Sequence, residues 1–174
     1  MKLILLFAFA VLSFARAASL VPGSDFKGVE DETNARFAGE PWDLLGDARG
    51  SYLPGYGAIF TFEMSLVNVP PLYPFKPTVS PQEIRTIHDR KVKQLAVLKG
   101  EMRDLVVKAA ASLTTLPPGE QVVFEARLVN RSFEDGRGLP NRLIMTANRQ
   151  KLLDAIAHHA TAADLAALIE ERDE

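Results

Sequence analysis

The chain of 174 residues contains no cysteine. That absence excludes a disulfide scaffold, a cysteine nucleophile, a thiolate metal site and a lipid-modified cysteine, all of which need the thiol. A dominant charge is missing too. Lys and Arg number 20 against 22 Asp and Glu, a net charge of −2, so the overall electrostatics give no argument for nucleic acid as a partner. Histidine is scarce, at three residues. His158 and His159 are sequence neighbours, which project about 100° apart on a helix, whereas a helical metal pair needs i and i+4. No H-E-x-x-H, EF-hand or G-x-S-x-G pattern occurs, so no metal, cofactor or serine nucleophile is expected. Long apolar runs are limited to one, Leu3 to Phe14, well short of the roughly 20 residues that cross a bilayer.

That run sits between Lys2 and the small residues of Ala15-Arg16-Ala17, the layout of a secretory signal peptide with an A-x-A cleavage site. Residues 1–17 are read as the signal, cleaved after Ala17, with a periplasmic or secreted destination and no membrane span after removal. An exported chain without cysteine favours a bacterial source. Cleavage removes two basic residues and no acid, leaving 18 against 22, a net charge of −4. Residues 18–40 are polar, with no clear apolar period, and are expected as a loosely ordered lead-in that orders only through Val21, Phe26 or Phe37. With 47% hydrophobic and 24% charged residues the composition is that of an ordinary globular protein, and residues 41–174 are expected to form a single domain.

The segment "PWDLLGD", opening at Pro41, suggests a short helix with Trp42, Leu44 and Leu45 on its packing side. Next comes "GSYLPGYGAIFTFEMSLV", Gly50 to Val67. From Ala58 on, Phe60, Phe62, Met64 and Leu66 alternate with Thr61, Glu63 and Ser65, the period of a half-buried strand. Ala48 to Leu53 is expected as its hairpin partner, with Pro54-Gly55 supplying a type II turn and Gly57 absorbing a bulge. A phosphate-binding loop is excluded here: a strand follows the glycines, not a helix, and no Lys or Arg lies between Ser51 and Val67. Trp42, Tyr52 and Tyr56 are the candidate binding aromatics at this hairpin end, since interfaces favour Trp and Tyr. The run "YLPGYGAIFTFE" resembles a stretch near the front of a group of uncharacterised exported bacterial proteins, in which this turn precedes an apolar strand. The resemblance covers Tyr52 to Val67 and implies export; it carries no catalytic residue over to this chain.

Pro70, Pro71, Pro74, Pro77 and Pro81 mark an extended strap that contains a PxxP spacing. Ser80-Pro81-Gln82-Glu83 then reads as a capping box with Pro at the first helical position, and Pro117-Pro118-Gly119 ends the helix. Ile84, Ile87, Leu95, Leu98, Met102, Leu105, Val106, Ala109 and Leu113 give it one apolar face, and Gly100 is the expected place for a bend. Its basic residues, Lys91 among them, are read as a solvated face, with a homodimer through the long helix as a possible assembly.

Gln121 to Asn130 and Asn141 to Ala147 alternate again and form a second hairpin. The loop between them holds Arg131, Glu134, Asp135 and Arg137, the most polar tip of the chain and the second set of candidate binding residues. Glu63 and Glu125 lie on the less apolar faces of their strands and are read as solvated sheet residues, with a carboxylate pair meeting across the sheet as the alternative. The C-terminal part reads as two helices, Lys151 to His159 and Ala162 to Arg172, with a frayed acidic end. The whole is expected to be an α+β domain: an antiparallel sheet of about four strands with the long helix packed on one face. The function expected is that of a non-enzymatic exported module, binding a protein or polymer of the cell envelope. A secreted hydrolase with dispersed catalytic residues is the alternative.

Overall fold

The computed structural model describes residues 23–69 and 78–174. The expected signal, residues 1–17, and most of the proline strap, including its PxxP spacing, lie outside the described residues. The element order is α1 (Gly23–Phe37), β1 (Asp43–Leu53), β2 (Gly57–Ser65), α2 (Pro81–Ser112), β3 (Gln121–Leu128), β4 (Arg142–Asn148), α3 (Arg149–Ala157), α4 (Ala162–Ala167) and β5 (Glu170–Asp173). The fold is α+β with one five-stranded sheet in the order β1-β2-β3-β4-β5. Three of the four strand pairings are antiparallel; β2 and β3 run parallel, because α2 carries the chain back along the sheet before β3 begins. No described helix is long and apolar enough to cross a membrane.

The hairpin glycines bend backbone, as their sequence context implies. Tyr56 N donates to Leu53 O at 3.0 Å and Gly55 has φ +80°, the geometry of a type II turn around Pro54-Gly55. Gly57, at φ +149°, allows a close strand approach: a Cβ there would stand 2.0 Å from Gln121 O, where β3 starts. β1 pairs with β2 through irregular register near Gly46, so the bulge falls in β1 and not at Gly57.

Alternation decides the two faces of the sheet. Phe60, Phe124 and Met145 stand in one row, with Phe60 stacked on Phe124 at 5.0 Å, and all are fully buried. Leu98, Met102, Leu105 and Val106 of α2 close over the same core. The Ser80 capping box and Pro81 start α2 as the sequence predicts, and the helix runs unbroken through Gly100. Arg149, buried at the start of α3, satisfies the far end: its guanidinium donates to Ala110 O at 2.9 Å and Leu116 O at 2.8 Å.

Three elements differ from expectation. Residues 23–37 of the lead-in form the helix α1, which contributes Phe26, Val29 and Phe37 to the core, with Phe26 edge-on to Phe60 and Phe37 stacked on Phe62. Two α1 side chains also occupy the outer edge of β1: Gly50 N donates to Glu30 Oε1 and Ala48 N to Asn34 Oδ1, both at 2.7 Å. The segment at Pro41 is extended, since Asp43 and Leu44 find partners in Ser65 and Met64. The C-terminal acids do not fray from a helix; they form β5 on the free edge of β4, where Glu171 and Asp173 meet Lys99 and Glu171 meets Arg103 of α2.

Candidate functional site: the polar pocket between α2 and the β3–β4 loop

The loop after β3 is built around a buried ion pair. Lys91, on the inner side of α2, gives its ammonium to Glu134 Oε2, to Asn130 Oδ1 at 2.9 Å and to Val129 O at 3.4 Å. Glu134 Oε2 also accepts from Arg131 N at 2.9 Å, and both charged side chains are 1% exposed. Charges this far from water persist only when paired and hydrogen-bonded, so the pair fastens the loop to the helix. Glu134 Oε1 and Gln94 Oε1 are buried without a hydrogen-bond partner.

With the loop held at Glu134, the next residues overhang the first turns of α2. Arg137 wraps the Asp135 carboxylate, with Nε at 3.0 and 3.1 Å and a terminal nitrogen at 2.6 Å, and this guanidinium holds the Asp135 carboxyl well below the usual carboxylate range. The carbonyl of Asp135 accepts from His88 Nδ1 at 3.0 Å. A carbonyl only accepts, so Nδ1 carries a proton and Nε2 is the ring nitrogen turned to other partners. Arg85, His88, Asp89, Asp135 and Arg137 line a pocket of about 350 Å³. Arg85 and Asp89, one helical turn apart, have no ion-pair partner among the described residues, which leaves one cation and one anion available to a ligand.

The sequence-predicted residues divide between this pocket and other places. Asp135 and Arg137 line it; Glu134 lies behind it, in the ion pair with Lys91. Arg131 turns away, its guanidinium 3.8 Å from the Asp43 carboxylate. Trp42 is 7% exposed and packs edge-on against Phe37 at 5.6 Å, because the extended chain at Pro41 turns its ring into the core. Tyr52 is half-buried, with its hydroxyl 3.1 Å from Glu120 Oε1, and only Tyr56 is exposed, so the three rings form no surface patch. Gly55 N donates to the same Glu120 oxygen at 3.0 Å; the anion at this turn is the chain's own. Glu63 and Glu125 do not meet as a carboxylate pair: Arg127 stands opposite Glu63 at 4.0 Å, and Arg142 lies 3.3 Å from Glu125.

Sequence reasoning names none of Arg85, His88, Asp89 and Lys91 as a site residue and reads the basic ones, Arg85 and Lys91, as part of a solvated helix face. The available signal was the spacing of His88, Lys91 and Gln94, three polar residues at i, i+3 and i+6 on the side that further along is apolar. Among the described residues no three His, Asp or Glu side chains are grouped to hold a metal ion.

Fold and site together define a single-sheet α+β protein whose long helix and a fastened hairpin loop enclose a small polar pocket. Comparison with protein families, with curated proteins and with solved structures finds no match for the chain.

Proposed function

We propose that this protein is an exported, non-enzymatic binding module of the bacterial cell envelope, and that it takes a charged group of a protein or envelope polymer into the α2 pocket. The observation that carries this reading is the pair Arg85 and Asp89, without an ion-pair partner among the described residues, in a pocket whose other charged side chains, Asp135 and Arg137, neutralise one another. One free cation beside one free anion suits a ligand presenting a carboxylate together with an amine or amide, as peptide ends and peptide-bearing polymers do. A loop fastened by a buried ion pair loses little freedom on binding, which favours recognition. Export is supported by the residues of the signal segment, with Ala18 as the expected first residue of the secreted chain.

The test is calorimetric titration of the secreted chain with soluble peptidoglycan fragments and with short acidic and basic peptides. Binding weakened at least tenfold by both R85A and D89A supports the proposal; binding that neither variant changes overturns it. The hydrolase reading draws on one observation, the His88 ring, held through Nδ1 by the Asp135 carbonyl with Nε2 left to other partners within the same pocket. Turnover of any of these ligands that is lost in H88Q would favour that reading over the binding module.

A further inference from the structure

The face of the sheet turned away from α1 and α2 has its own organisation. Ser51, Ile59, Val123, Thr146 and Glu170 stand in one register row across all five strands. Arg49, Thr61, Glu125, Ile144 and Arg172 stand in the next. In the three middle strands each of these residues alternates with core residues, Ala58, Phe60 and Phe62 in β2, Val122, Phe124 and Ala126 in β3, Leu143, Met145 and Ala147 in β4, so the two rows project from the opposite face. Val123 is 6% exposed yet stands outside the core cluster that the helices cover, and Ile59 and Ile144 flank it half-buried. Beside Val123, Thr146 Oγ1 is buried and has no hydrogen-bond partner. None of the four described helices contributes a core residue to this face.

We infer that this face is a docking surface for a second copy of the same chain, packed sheet on sheet about a twofold axis. Three observations favour that occupant. Sheets built wholly of parallel strands are found almost only with both sides covered, and the one parallel pair of this mixed sheet, β2/β3, carries Ile59 and Val123 to the middle of this face. The centre is apolar, with Ile59, Val123 and Ile144, whereas the rim carries both signs: Arg127 with Glu63, Arg142 with Glu125, Arg172 with Glu170. A patch that must meet its own copy needs both signs, since a single-signed rim would repel itself. The extent is also sufficient. Five strands about 4.8 Å apart and about seven residues long span roughly 550 Å² per copy, or about 1,100 Å² for two, just above the ~1,000 Å² expected of a specific interface.

Sedimentation equilibrium of the secreted chain, from micromolar to near-millimolar concentration, tests this. The expected result is a dimer that I144D converts to monomer and that R127E, whose side chain is 66% exposed, weakens at least tenfold in Kd. Circular dichroism establishes that each variant is folded; R127E alters an exposed side chain outside the core and decides the matter if I144D fails to fold. The same dimer should survive V92K and V97K, which charge the outer side of α2, where these valines are 47% and 48% exposed. A chain that stays monomeric throughout, a dimer indifferent to R127E, or one abolished by V97K and therefore seated on the long helix would each overturn the inference. Because none of these substitutions lies in the α2 pocket, failure here and failure of the binding reading are separate results.

Discussion

Lys91 and Glu134 illustrate how a charge in the interior depends on its partner. Replacing Lys91 alone by Met leaves a carboxylate 1% exposed with only a backbone amide for company, and K91M should cost about 3–5 kcal/mol in urea unfolding. The double variant K91M/E134L removes both charges and should recover most of that loss. If K91M costs less than about 1 kcal/mol, the pair does not hold the loop. Two glycines of the hairpin make a second contrast. Gly55 needs only its left-handed backbone, so G55A should cost about 1–2 kcal/mol. Gly57 has a positive φ as well and faces Gln121 O, so G57A should cost clearly more, through separation of β2 from the start of β3. Equal costs in a denaturation series would contradict the close approach.

At the scale of elements, α1 acts on β1 through its side chains. Glu30 and Asn34 lie one turn apart on the helix and meet the amides of Gly50 and Ala48, alternate positions of the outer strand edge. Free edge amides invite pairing with other chains, and here the helix occupies them. Gly50 belongs to the same device, because a Cβ there would come within 2.9 Å of Phe26 Cβ. The variant E30A/N34A should lose about 1 kcal/mol per bond and speed hydrogen exchange at Ala48 and Gly50. Unchanged exchange at those two amides would show that α1 leaves the edge unprotected.

At the scale of the molecule, α2 is the basic spine to which acidic outer elements attach. Lys108 does not pair with Asp104, four residues earlier on the helix; it reaches Glu32 of α1, and Lys99 and Arg103 hold Glu171 of β5. The hydrogen bond from Lys108 keeps the Glu32 carboxyl below its usual range, against a smaller opposing effect of burial. For Glu171 burial is the largest single influence and pushes the carboxyl up, but the bonds from Lys99 and Arg103 together outweigh it and the net shift is downward. Both groups therefore ionise more readily when folded. Their contribution to stability is complete above the unfolded value of about 4.5 and is lost as pH falls below it through the lowered folded values. Thermal unfolding followed from pH 7 to pH 3 should show stability declining below about pH 4.5, with a shallower decline in E32Q/E171Q. An identical slope in that variant would place the acid sensitivity elsewhere.

What the sequence determined by itself is local. Alternation in β2, β3 and β4, the type II turn at Pro54-Gly55 and the capping box at Ser80 all rest on neighbours within a few residues, and periodicity reports such contacts directly. Only the tertiary structure decided the rest. The acidic C-terminus becomes a strand because β4 has a free edge and α2 holds two cations above it. Trp42 enters the core because β1 lengthens against Ser65 and Met64, and residues 23–37 become a helix because a bare sheet face and a strand edge stand ready to receive Phe26, Glu30 and Asn34. Lys91 is buried because Glu134, 43 residues away, comes to meet it. In each case the deciding partner is distant in the chain, and the free energy of meeting it exceeds a local preference of less than about 1 kcal/mol per residue.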